Sequence, residues 1–121
     1  MSKYNSLDTI ETKDDVPTTI TSFTTTINSS VYLDITILAH SDNFDTVVDR
    51  KMYVVKNINN NVSISDDIVT ICNKQGHISI SNVNTSLRVS ETTIQVQVTG
   101  LQDTSIVWVC NLDAITNSLQ I

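Results

Sequence analysis

Strict two-residue alternation is what most restricts this chain. In "SVYLDITILAH" (30–40), Val31, Leu33, Ile35, Ile37 and Ala39 fall on one side, while Tyr32, Asp34, Thr36, Leu38 and His40 fall on the other. Successive side chains of a β-strand point to opposite faces, so one apolar side means one face against a core. The same period runs through "TTIQVQV" (92–98) and "TSIVWVCNLDAI" (104–115), with Ile94, Val96 and Val98 on the inner side of the first. In the second, Ile106, Trp108, Cys110 and Leu112 share a face. Trp108 therefore reads as the central plug of the core or of a contact with a neighbouring subunit.

Shorter runs fill the rest. "TTITSFTTT" carries Ile20 with Phe23 out of step behind it, which predicts a polar strand at a sheet edge or with a bulge. "TVVDRKMYVVK" reads as a strand closed by a turn at Asn59, Asn60 and Asn61. "NVSIS", "DIVTIC", "GHISISNV" and "TSLRVS" follow, with Val62, Ile64, Ile78, Ile80, Leu87 and Val89 as inward positions and Asp66 and Asp67 as a strand terminator. Many short antiparallel strands with no place for a long helix predict an all-β sandwich, jelly roll or barrel. With two glycines and one proline, Asn and Asp must make the turns. Gly100, between two alternating runs, is expected to turn a closing hairpin with a positive φ.

The first residues break the pattern. Tyr4, Leu7 and Ile10 stand at helical spacing in a segment too short and polar to fold alone, and Pro17 separates it from the first clear strand. Residues 1–16 are expected to be an N-terminal arm, either an attachment device or a frayed terminus, and 17–121 the β-sandwich domain. A chain of 121 residues has room for one core of its own. At 5% aromatic and 40% hydrophobic, that core is built from Ile, Val and Leu.

Charge and motifs exclude more than they assign. A net charge of -6 disfavours nucleic acid and anionic membranes as partners. No apolar run is long enough to cross a bilayer, and the start lacks a secretory core, so synthesis in a cytoplasm is expected. Cys72 and Cys110 match no metal spacing and read as two buried thiols, with a disulfide as the lesser alternative. His40 and His77 lack the context of a catalytic base, and no glycine-rich phosphate loop exists. Asp42, Asn43, Asp45 and Asp49 cluster without the spacing of a calcium loop. The Asn-Xaa-Ser/Thr triplets at Asn28, Asn61 and Asn84 arise from composition. No catalytic residue, metal or cofactor is expected.

Val96, Val98, Thr99, Gly100, Thr104, Ile106 and Trp108 spell V-x-V-T-G, a short loop, then T-x-I-x-W. With the Thr-rich lead-in and the "RKMYVV" strand, this order resembles the small all-β modules of phage and large-DNA-virus fibre or virion-surface structural proteins, over about residues 17–116. The resemblance implies a homotrimeric, jelly-roll-like β-sandwich that serves as a non-enzymatic virion component in capsid decoration, neck or fibre tip. Its partners would be its own copies and other virion proteins, and its place the virion after synthesis in the host cytoplasm. The alternative is a module binding a host surface glycan or receptor, for which Tyr32 and Phe44 are the candidate contacts.

Overall fold

The computed structural model of the chain describes residues 1–65, 69–75 and 83–118. Ile78, Ile80, His77, Asp66 and Asp67 lie outside them. The described residues form β1 (Ser2–Thr12), β2 (Thr18–Thr24), β3 (Ser29–Ser41), β4 (Thr46–Ile58), β5 (Asn61–Ile64), β6 (Val69–Gln75), β7 (Asn84–Ser90), β8 (Thr93–Thr99) and β9 (Ile106–Ser118). Every pairing among the described residues is antiparallel. One sheet runs β1-β9-β3-β4-β5, with β6 also on β4, and the other runs β2-β8-β7.

Between the sheets lies a mostly aliphatic core. Val31, Leu33, Ile35, Ile37 and Ala39 of β3 meet Ile94, Val96 and Val98 of β8, while β9 adds Ile106, Trp108, Cys110, Leu112 and Ala114. Apolar burial at about 25 cal/mol per Å² makes this the main source of stability. The fold is thus an all-β antiparallel sandwich. Its outer strands nest as in a jelly roll, the first pairing with the last and the second with the next to last. The nesting stops at β3 and β4, which form a hairpin within one sheet.

Turns are made by the residues that tolerate a left-handed backbone. Asn28, Asn59, Asn60 and Asp103 all have positive φ, as do Phe44 and Glu91. Asn59 and Asn60 adjoin in the β4–β5 hairpin, the requirement of its two-residue turn. In β2 a register shift between Thr19 and Thr21 lets Ile20 and Phe23 both reach the core side. Val89, read as inward, is exposed near the end of edge strand β7.

Two expectations are corrected. Residues 2–12 are not a separate arm, because β1 pairs with β9 from Ser2↔Thr116 to Thr12↔Ile106. A period of two, not of helix, governs the segment: Ile10 packs on the core and Tyr4 lies against Phe23 with ring centroids 5.5 Å apart, while Leu7 points outward. Nor do β8 and β9 form a hairpin, since β8 pairs with β2 and β7, and β9 with β1 and β3. The stretch around Gly100 carries the chain from one sheet to the other. Gly100 has no positive φ; it is needed for close approach, because a Cβ there would meet Thr12 Oγ1 at 2.5 Å and the Asp14 carbonyl at 3.0 Å. The positive φ of this crossing belongs to Asp103.

The cysteines are both free, Cys72 exposed and Cys110 buried. The expectation of two buried thiols therefore holds only for Cys110, since Cys72 sits on β6 along the sheet margin. Burial pushes the Cys110 thiol up to about 12. The folded chain then retains a proton that the unfolded chain loses near pH 9.0. This contribution to stability is present below about pH 9.0 and falls as pH rises from there towards about 12. Iodoacetamide at pH 8 is expected to label Cys72 and to reach Cys110 only on adding denaturant, as peptide mass mapping will show. Labelling of both at equal rates in the native protein would contradict the buried assignment.

Candidate interaction surface

The outer face of the six-stranded sheet is where the sequence places its unused apolar residues. Register fixes this face row by row. One row holds Thr9, Val109, Leu38 and Val48, and another holds Lys3, Ile115, Tyr32 and Val54. Between them run Leu7, Asn111, Thr36, Arg50 and Ile71, then Asn5, Asp113, Asp34 and Met52. Leu7 is 69% exposed, and Leu38, Val48, Ile71, Ile115 and Tyr32 are exposed as well. Several large apolar side chains on one sheet face exceed the scattered exposure of an ordinary surface.

A polar seam divides the apolar rows. Arg50 donates to both oxygens of Asp34, at 3.1 Å from Nε and 2.8 Å from Nη2. The hydrogen bond to Asp34 raises the Arg50 guanidinium above its ordinary value, although it stays charged at any working pH. Asn111 Nδ2 donates to Asp113 Oδ2 at 3.1 Å, and Asn5 Nδ2 donates to Asn111 Oδ1 at 3.0 Å. Asp34 and Asp113 stand opposite each other in register, and both are hydrogen-bonded within this seam.

Tyr32 and Phe44 are not brought together. Tyr32 lies near one end of β3, its hydroxyl donating to Met52 Sδ at 2.9 Å. Phe44 lies in the turn beyond the other end, roughly 27 Å from Tyr32 or more at about 3.4 Å per residue. That turn is built by Ser41, whose Oγ accepts from the Asn43 and Asp45 backbone N–H groups at 3.3 and 3.2 Å. The Ser41 N–H donates to the Asp45 carbonyl and the Phe44 N–H to the Ser41 carbonyl, both at 2.9 Å. In such a three-residue loop the third position is left-handed and favours glycine, yet Phe44 holds it with φ 58°. The strain is of order 1–2 kcal/mol. Phe44 is 78% exposed, and its ring stacks on His40 at 5.8 Å with planes 7° apart. Asp42 and Asp45 belong to this turn, whereas Asp49 points between the sheets.

No protein-family model matches the chain, and no curated protein matches it in sequence. Solved structures do match in fold. The tailspike protein of Acinetobacter baumannii phage AM24 superposes with a TM-score of 0.52 at 11% identity, over 97% of this chain and 26% of that one. The tailspike of Acinetobacter phage vB_ApiP_P1 superposes with a TM-score of 0.51 at 10% identity, over 96% of this chain and 21% of that one. Tailspike gp49 of A. baumannii bacteriophage Fri1, a capsular polysaccharide depolymerase, gives 0.37 at 14% identity. The structural neighbours are phage tailspikes. This chain spans about a quarter of the length of the first and about a fifth of the second, and at these identities the likeness is one of fold.

The outer rows were only half legible in sequence. Tyr32, Leu38 and His40 follow from the alternation of β3, but Val48, Ile71 and Ile115 join them through pairing between distant strands.

Proposed function

We propose that the chain is a non-enzymatic structural module of a phage virion, placed in a fibre tip, neck or capsid decoration, and that it assembles as a homotrimer through the outer face of its six-stranded sheet. The observation that carries this reading is the exposed apolar set Leu7, Leu38, Val48, Ile71 and Ile115 around the Asp34–Arg50 pair. Closed symmetry would cover such a face without leaving a growing end. The tailspike-like fold supports the virion setting, and the resemblance to fibre modules supplies the number three. Light scattering of the purified protein is expected to give three times the chain mass, and Leu38→Asp to give monomers that still fold. No reducing ends are expected on incubation with capsular polysaccharide. A wild-type protein that remains monomeric at high concentration, or one that shortens the polymer, would overturn the proposal.

Phe44 favours a second reading, a host-glycan or receptor contact. A ring displayed to solvent from a position that favours glycine is a strained arrangement of the sort concentrated at functional sites. Phe44→Gly is expected to raise the thermal midpoint by relieving that strain, while removing any glycan-array signal of the wild type. A signal left intact by the substitution would rule Phe44 out as the contact.

A further inference from the structure

β1 is the outermost strand of the six-stranded sheet, and among the described residues no strand lies on its far side. An edge strand turns the N–H and C=O of every second residue away from its one neighbour, open to another chain. Proteins blunt such edges by keeping them short, by a bulge or by proline. β1 does none of these. It runs for 11 residues without proline, about twice the usual strand length, and its register against β9 is unbroken from Ser2 to Thr12.

Its charges are what remains. Lys3 and Glu11 stand near the two ends on the outer side, with the exposed Leu7 midway between them. On the inner side Asp8 is half-buried opposite Cys110, and neither Asp8 nor Lys3 has a hydrogen bond or ion pair among the described residues. Glu11 Oε1 accepts from Ser105 Oγ at 3.1 Å and lies 3.5 Å from Lys13 Nζ, while Oε2 takes part in neither contact. Alone, an edge lysine and an inward carboxylate oppose the addition of a strand.

Against a second copy of β1, laid antiparallel about Leu7, each of these groups meets its complement. Lys3 of each copy falls opposite Glu11 of the other, Leu7 opposite Leu7, Tyr4 opposite Ile10, and Asp8 opposite Ser6. The Ser6 hydroxyl is the donor that the Asp8 carboxylate lacks; its 3.4 Å contact with Thr21 Oγ1 can be donated by Thr21. Each pair joins residues of one parity, so the outer face continues the outer face and the inner face the inner. A shift of two residues breaks the match. One way it sets Asp8 against Asp8 and Lys3 against Lys13; the other way it leaves Lys3 opposite Thr9 and Glu11 opposite Met1. Opposite charges directly across a strand pair stabilise it and like charges destabilise it, so these charges select one register.

We propose that β1 pairs with β1 of a second copy across a two-fold axis at Leu7, joining the six-stranded sheets of the two copies into one. This contact is separate from the outer-face association and adds to it. One strand pair makes a small interface of the weak, transient class, with a Kd of about 100 µM, so it forms above the concentrations at which the trimer is read.

Leu38→Asp, which removes the outer-face contact, isolates the edge, because Leu38 lies on β3 with β9 between it and β1. Sedimentation equilibrium of this protein is expected to show monomers when dilute and mostly dimers at about 1 mM. Lys3→Glu should weaken the dimer at least about tenfold, and Lys3→Glu with Glu11→Lys should restore it. Both positions are exposed, so neither change disturbs the fold. With Cys72→Ser added, oxidation should link Leu7→Cys between chains, since directly opposite Cβ atoms stand about 5 Å apart. Thr9→Cys, whose two copies stand about 14 Å apart in this register, should stay unlinked. Monomers up to about 1 mM, or equal linking of Leu7→Cys and Thr9→Cys, would overturn the proposal. A wild-type protein that forms this dimer without forming trimers would support the edge contact and overturn the outer-face reading alone.

Discussion

Deleting residues 2–12 is expected to leave a chain that no longer folds cooperatively, or one whose thermal midpoint drops by at least about 15 °C, taking roughly 4 °C per kcal/mol for a domain of this size. The strand removed does three things at once. It pairs with β9 over its whole length, so its loss leaves an edge of β9 with unpaired backbone groups. It supplies Ile10, which packs on the core. It also supplies Thr12, whose hydroxyl accepts the buried Trp108 Nε1–H at 2.9 Å and against which Gly100 is fitted. Losses through several of these routes add to more than about 4 kcal/mol, a large part of the stability of any small domain. Circular dichroism melts of the truncated and full chains decide it. An unchanged midpoint would mean that β1 is accessory and that the sandwich closes without it.

Trp108→Ala should be the most damaging single substitution. The indole is 0% exposed and sits among Ile106, Cys110 and core residues of both sheets. Truncating a buried aromatic to Ala typically costs about 3–5 kcal/mol, through lost burial and the cavity left behind. Denaturant unfolding should therefore show a midpoint far below wild type, with the cooperative slope retained if the fold survives. Thr12→Val isolates the polar part. It leaves the indole N–H buried without an acceptor, at about 1–3 kcal/mol, whereas Trp108→Phe removes the donor at the cost of a cavity, so the double substitution should cost less than the sum of the two single ones. A Trp108→Ala protein within about 1 kcal/mol of wild type would show that the ring does not hold the sheets together.

How much of this could be read from the chain depends on whether a residue's partner is near it in sequence. The alternation of β3 already names Leu33, Ile35 and Ile37 as core, because the pattern is complete within one strand. The polar composition and glycine shortage name Asn59 and Asn60 as turn residues for the same reason. Residues 1–16 mislead because Tyr4, Leu7 and Ile10 happen to fit a helical spacing, while the strand that makes them β is the distant β9, which sets Tyr4 opposite Ala114, Leu7 opposite Asn111 and Ile10 opposite Trp108. The crossing at Gly100 misleads in another way. Two alternating runs joined by a short loop look the same whether they pair with each other or lie in opposite sheets, and only the other strands decide. Asp49 and Lys51 were read as part of an acidic loop and of a basic strand. Their inward direction needs the register of β4 against β3, in which Asp49 faces Ile37.

The nesting of first strand with last has a kinetic consequence. The β3–β4, β4–β5 and β7–β8 hairpins are local, and each can form within microseconds of its residues meeting. The pairings that close the sandwich are not local: β1 with β9, β3 with β9 and β2 with β8 all require loops of many tens of residues to be drawn shut before any contact repays the entropy. The slow event is then the insertion of β9 between β1 and β3. Until it occurs, the apolar stripe of β3 and its unpaired edge stand open to any other copy in the same state. Where many copies are made at once, successful folding is a race between that insertion and aggregation.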